Sequence, residues 1–577
     1  MMNASDNPFQ YEAANNLPVE MIIEVYVEDF NFSRFIQSKR NIFLVGERGS
    51  GKTMTLLYNS FRVQLAKNEK EGRGRPLDMI GVYIPCNTPL THRKEYQLLP
   101  DIKASVVSEH FLVLAVIYNI AETLALVPEA LDGVDQAKLR SEIEYLLGFQ
   151  LRVADGFFKD LGDWAQREII ATQRKINDQT SDAYYEDCLS FASGVMPLLG
   201  VIRHIPSLKD SHFLLMMDDA HDLNEHQSCS LNSWIAYRDH SYFSFKVATA
   251  KVGQPNFITT TGGSILEGHD FTTIDMEQPI QTATSDFGRM AARIIEKRLY
   301  KAGIEKSSLE FFPVSPQFES DMRTCHEEVK HRVVEQHPDW PSSRVQDHVY
   351  RFGRAEYFRR RSSKANRPAY SGFDTLVYLS TGVIRNLLEP CFQMYDAVQS
   401  RHSDEESGRG AVSLIPPEDQ ADIIMKLSER VWARLKDGLD RSIDGCSSKQ
   451  AKQTATLFEK LATYFRHRLL NHESEPQANS FSITGLTDEI ASELMPLLEV
   501  ARKAQMLYER IGPAKDRGLR ERYYVPNRML WPSIGLDLHG QHARASVKAK
   551  DLLAAADGRD IPVKTEPKDD QMEMFHE

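Results

Sequence analysis

Cysteine is scarce in this chain. The six present, Cys86, Cys188, Cys229, Cys325, Cys391 and Cys446, lie far apart in 577 residues. Neither a disulfide framework nor a zinc site with paired-cysteine spacing is encoded, and a reducing cytoplasm suits such a protein. Long apolar runs are missing as well. The most apolar, residues 111–117, is soon interrupted by Asn119 and Glu122; it is too short to span a bilayer and reads as a core helix, so no membrane association is expected. The polar opening, residues 1–11, lacks the apolar stretch of a signal peptide. Positive charge is in deficit, with a formal net charge of −12. That excludes a wholly basic coat for nucleic acid but leaves room for a local basic patch. There is no internal repeat. A hydrophobic share of 42% at this length predicts several domains with ordinary cores.

Against these absences stands one dense motif. Residues 41–45 read as a buried strand, Gly46-x-x-x-x-Gly51-Lys52-Thr53 follows at once, and residues 54–63 read as a helix. Strand, glycine loop and helix in this order form a P-loop, the phosphate cradle of ATP-binding proteins. The glycines, Gly46, Gly49 and Gly51, let the backbone bend until its N–H groups converge on phosphate oxygens. The positive end of the following helix points at the same anion. Lys52 adds a point charge and the Thr53 hydroxyl can ligate Mg²⁺. Glu47, Arg48, Ser50 and Met54 complete the set of candidate nucleotide contacts.

A P-loop needs a partner carboxylate for the metal. The strand 212–218 ends in Asp218-Asp219. Asp218 is the candidate Mg²⁺ residue. Asp219 stands where many P-loop ATPases place a glutamate that orients the attacking water; one methylene shorter, it either serves as base or leaves a slow hydrolase. The next strand, residues 244–250, carries Thr249, which either reaches the γ-phosphate and attacking water or is a strand-end threonine satisfied by backbone. Strands at 79–85 and 271–276 bring the total to about five, with helices between them, as a parallel three-layer α/β sheet requires. Asp286-Phe-Gly288 mimics a kinase metal motif, but no catalytic loop precedes it and it opens a helix.

Taken together, Asn7-Pro-Phe9, the run Arg40 to Thr53, Asp218-Asp-Ala-His221 and the segment 379–388 resemble the AAA+ ATPases of the origin-recognition type, specifically their bacterial relatives, over residues 7 to about 540. The resemblance implies an AAA+ core at 41–300, after a helical lead-in at 1–40, and a helical lid at 301–440. It also implies a winged-helix domain at 445–560. On the lid, Arg385 matches the position of the sensor-2 arginine that contacts the γ-phosphate. A stretch at about 95–207, expected as helices 101–126, 136–174 and 181–203, is longer than a minimal core needs and predicts an insertion suited to a partner. No arginine occurs between Arg238 and Arg289, which leaves Arg238 as candidate trans-acting finger if the protein is a homo-oligomer. The double aspartate and this sparse finger look more like STAND-type switch ATPases than processive motors.

Residues 357–361 place three arginines beside two aromatics, either a phosphate contact or a solvated helix face. Between residues 501 and 528 there are eight Lys/Arg against three Asp/Glu. A basic wing with Arg517, Arg520, Arg522 and Tyr523 suits duplex DNA; a winged helix used for protein contacts is the alternative. The acidic tail 561–577 is expected to be disordered. Within it, Gln571, Met574 and Phe575 resemble the short peptide by which bacterial DNA-processing proteins dock on the replication sliding clamp. The resemblance implies work in replication control, mobile-element maintenance or phage defence.

Overall fold

The structure, a computed structural model, describes residues 7–10, 13–28, 32–86, 99–177, 187–237, 241–251, 256–277, 282, 284–361, 368–404, 412–470, 478–513, 520–539 and 544–563. The chain forms two compact units: residues 12–276, and residues 277–577 together with 1–11.

The first unit is built on five strands: β1 (Ile42–Val45), β2 (Met79–Pro85), β3 (His212–Asp218), β4 (Phe243–Thr249) and β5 (Thr272–Asp275). They lie in the order β2-β3-β4-β1-β5, all parallel. The five strands read from the sequence are all present. Alternation along each strand divides the core in two. Phe213, Leu215 and Met217 face one layer with Phe245 and Val247; Leu214 and Met216 face the other with Leu44, Leu56 and Ala248.

The helix Asp101–Leu124 carries the apolar run. Its Leu112, Val113, Val116, Ile117 and Ile120 are buried against the first of these layers. Among the described residues it is the one helix long and apolar enough to cross a membrane, and here it covers the sheet. The 95–207 stretch is therefore not all insertion, because its first helix is a layer of the core. The helix expected at 136–174 is two, Gln136–Leu147 and Phe157–Asn177, the first closed by Gly148 in the left-handed region. The third begins only at Val195. The helix after the P-loop is also two, Lys52–Tyr58 and Phe61–Lys70. At that break the Asn59 carbonyl comes so close to β2 that a Cβ on Gly81 would meet it at 2.3 Å.

In the second unit, helices Asp286–Lys301, Phe373–Leu379, Ile384–Asp404 and Pro417–Asp437 precede Ser448–Leu470. Asp286-Phe-Gly288 opens its helix under a Ser285 cap, as read from the sequence. The division falls before this helix, earlier than the boundary at residue 300, because the helix is tied into the second unit. Arg298 donates to the Pro8 and Gln10 carbonyls (3.1 and 2.9 Å) and Glu296 accepts from the Ser308 N–H (3.1 Å). The lead-in divides too: residues 7–10 belong here, while helices Val19–Val25 and Phe32–Ile36 belong with the P-loop. Then come β6 (Ser480–Thr484), helix Asp488–Lys503, the hairpin β7 (Leu507–Pro513) and β8 (Arg520–Pro526), and β9 (Arg544–Lys548), in the order β7-β8-β6-β9. Helix, strand, helix and hairpin make the winged-helix arrangement, with a single helix between β6 and the wing.

Candidate nucleotide site

The P-loop leaves β1 at the edge of the sheet where β3 and β4 also end, the crevice in which open parallel sheets bind ligands. The Gly46 N–H donates to the Thr249 carbonyl (3.3 Å), so the loop starts in register with the end of β4. Gly51 caps the P-loop helix at φ 99°, a conformation that a side chain would strain. Lys52 is buried, and its Nζ donates to the Gly46 and Glu47 carbonyls at 2.8 and 3.0 Å. The lysine is thus held inside the curve of its own loop. Ser50 and Glu47 are buried beside it; Thr53 and Met54 are half-buried. Arg48 is exposed, its guanidinium 3.4 Å from His221 Nε2 and 3.8 Å from the Asp222 carboxylate.

Asp218 closes β3 and is buried. The Tyr83 hydroxyl of β2 donates to its Oδ2 at 2.8 Å, and the Cys86 N–H donates to its backbone carbonyl at 2.9 Å. Burial first, and then the charge of Asp219, push the Asp218 carboxyl above the usual range; hydrogen bonds from Tyr83 and Thr53 pull the other way. Its Oδ1 is buried and lacks a well-formed hydrogen bond. An oxygen-only donor pair, the Thr53 hydroxyl and this carboxylate oxygen, fits the preference of magnesium. Asp219 is half-buried in left-handed backbone (φ 52°, ψ 40°) and opens the short turn Ala220–Asp222. Non-glycine residues in that region concentrate at functional turns. Thr249 is buried at the end of β4, opposite Val45.

P-loop, Asp218, Asp219 and Thr249 are therefore brought to one edge. Sequence reading missed Tyr83, and it named His221 only as the end of the motif Asp218-Asp-Ala-His221, without a role. Tyr83 had one signal, its place two residues before the end of the strand that neighbours Asp218; that adjacency belongs to the sheet order. Among the described residues no cluster of three or more His, Cys, Asp or Glu suits a metal ion.

Arg385 lies in the second unit, exposed in the first turn of the helix Ile384–Asp404, after a turn in which Thr381 and Gly382 are both left-handed. Arg238 falls outside the described residues, as do Arg517 and the tail with Gln571, Met574 and Phe575. On the wing, Arg520 and Arg522 are exposed, and Arg522 Nε lies 3.3 Å from Glu509. The expectation that Tyr523 of the wing meets duplex DNA needs correction. Tyr523 is buried with Val383, Tyr508 and Val525, the Arg544 guanidinium 3.8 Å over its ring, and Tyr524 stacks on Phe481. Successive residues of β8 face opposite sides, and here both sides are covered. The arginines at 359–361 are engaged by acids: Arg359 and Arg360 by Glu356, Arg360 also by Glu328, and Arg361 by Asp321. Tyr357 and Phe358 beside them are buried, so this segment braces the helix Ser342–Arg360 against the helix Pro316–Gln336.

The sequence profile of the ORC-CDC6-like family matches residues 7–339 and 316–547. Two solved structures to which the chain is similar are Cdc6p from Pyrobaculum aerophilum and the Orc1 protein of Aeropyrum pernix in complex with DNA. The first has 11% identity and a TM-score of 0.29, over 96% of this chain and 97% of that one. The second has 10% identity and a TM-score of 0.26, over 91% and 95%. No curated protein matches.

Proposed function

We propose, for a chain that belongs to the ORC-CDC6-like family of AAA+ ATPases, that it is a nucleotide-operated switch. It binds Mg·ATP, hydrolyses it slowly, and engages DNA or a DNA-bound partner. The observation that carries this reading is the convergence of the buried Lys52 and the buried Asp218 at one edge of the parallel sheet. Lys52 and the loop N–H groups hold the phosphates. Thr53 and Asp218 hold the magnesium ion, which when bound neutralises charge on the phosphate oxygens. Asp219 orients water; its short side chain favours slow turnover. Thr249 contacts that water or the γ-phosphate, Arg385 senses the γ-phosphate, and Arg238 is the finger if copies assemble. Arg517, Arg520 and Arg522 supply DNA backbone contacts. Docking of the 571–575 peptide on a sliding clamp, and a place in replication, mobile-element or phage-defence pathways, stand as further parts of the proposal.

The test is ATPase activity with and without duplex DNA. Wild type is expected to be stimulated and Lys52→Ala to stay flat. A double variant Arg520→Ala/Arg522→Ala should keep the basal rate, lose the stimulation, and lower the salt slope of DNA binding by about 1–2. The buried tyrosines of the wing favour a second reading, a sensor or scaffold that recognises a protein without touching DNA. Stimulation by a protein partner, with none by DNA, would decide for it.

A further inference from the structure

We propose that Tyr83 is a positioning residue for the metal-binding carboxylate, an inference that rests on the Mg·ATP reading above. β2 and β3 run parallel, with Tyr83 beside Met216 and Pro85 beside Asp218. Met216 and Asp218 are two apart and share a face of the sheet. Tyr83 packs on that same face, with Leu214 and Met216. Its ring leans along the strand, and its hydroxyl donates to Asp218 Oδ2 at 2.8 Å. The Cys86 N–H, donating to the Asp218 carbonyl, fixes the backbone of the same residue from the same strand. β2 therefore holds Asp218 at two points.

The consequence is an asymmetric carboxylate. Oδ2 is taken by the phenol. Oδ1 is left buried without a well-formed hydrogen bond, on a carboxylate that the Thr53 hydroxyl of the P-loop helix also reaches. An aspartate carboxylate turns broadly about its last torsion unless something pins it. A donor on one oxygen pins it and presents the other as the fixed acceptor for a hydrated cation. Groups that orient a metal-binding side chain in this way carry about 10- to 100-fold in metal affinity. A tyrosine that only fills the core, with its hydroxyl bonded to the nearest acceptor, carries none.

The experiment uses the full chain and a fluorescent ATP analogue, read by anisotropy in EDTA and across a magnesium titration. Wild type is expected to bind in EDTA and to tighten with magnesium. Tyr83→Phe keeps the ring and removes only the donor. It should bind in EDTA as wild type does, while the magnesium needed for half of the tightening rises about 10-fold or more. Asp218→Asn should lose the tightening altogether. A wild-type magnesium midpoint in Tyr83→Phe overturns the positioning role and leaves the nucleotide reading standing. Equal weakening in EDTA and in magnesium also overturns it, since that is a packing loss. Wild type that does not bind the analogue at all overturns the nucleotide reading itself.

Discussion

At the scale of single residues, Lys52 and Asp219 carry the sharpest expectations. Lys52 is a buried ammonium that donates to two carbonyls of its own loop, so it is desolvated and aimed before any phosphate arrives. A hydrogen bond to a charged group contributes roughly 1.5–3 kcal/mol. Lys52→Ala should therefore weaken ATP affinity by about 10- to 100-fold, measured by titration with a fluorescent nucleotide. Asp219 occupies left-handed backbone at φ 52°, which costs a residue with a Cβ about 1 kcal/mol. Asp219→Gly removes that strain together with the carboxylate. Its melting temperature should rise slightly while ATP turnover falls. A variant that loses both stability and turnover would show that the carboxylate holds the turn rather than the water.

At the scale of elements, two pieces were placed by packing alone. His110, on the helix Asp101–Leu124, is buried; its Nδ1 accepts from the Leu189 N–H at 2.9 Å and Nε2 lies 3.3 Å from the Thr172 hydroxyl. Burial, and then the charge of Lys175, hold its pKa down to about 4, against the pull of Asp187. The folded state therefore keeps the ring neutral over a range in which the unfolded chain takes up a proton. The stability is fully present above the ordinary histidine pKa of about 6.5 and is lost as pH falls from there toward 4. The loss is roughly 3 kcal/mol over that window, and His110→Gln should flatten it in melts recorded from pH 7 to 4. The second piece is the N-terminal segment. Phe9 is fully buried among Phe311, Phe312 and Tyr395, and Asn7 donates to the Phe392 carbonyl at 2.8 Å. Phe9→Ala should cost about 3–5 kcal/mol, read as a lowered unfolding transition of the second unit.

At the scale of the whole molecule, the chain enters the second unit for good at Glu277. There the Glu277 carboxylate forms a buried ion pair with Arg510 of β7, whose guanidinium also donates to the Thr381 carbonyl at 3.3 Å. Removing one partner of a buried pair leaves an uncompensated charge and costs about 3–5 kcal/mol. Glu277→Ala should thus destabilise the winged-helix unit by that order, and Glu277→Ala/Arg510→Met should recover much of it in chemical denaturation. Neither residue could be singled out from sequence, because they are far apart along the chain and only folding brings them together.

The amino-acid order by itself determined the P-loop, the five strands, the acidic end of β3 and the family resemblance. These are local patterns: a glycine spacing, alternating apolar positions, charges at a strand end. The tertiary structure decided what depends on neighbours distant in sequence. It put Tyr83 on Asp218 and made one insertion helix a layer of the core. It turned Tyr523 inward and buried Lys246 in the middle of β4, where its ammonium donates to the Ser38 carbonyl at 2.7 Å. Hydropathy would leave that lysine at the surface and that tyrosine on a wing. Burial is a property of the assembled fold, because whether a side chain meets water depends on what packs across from it.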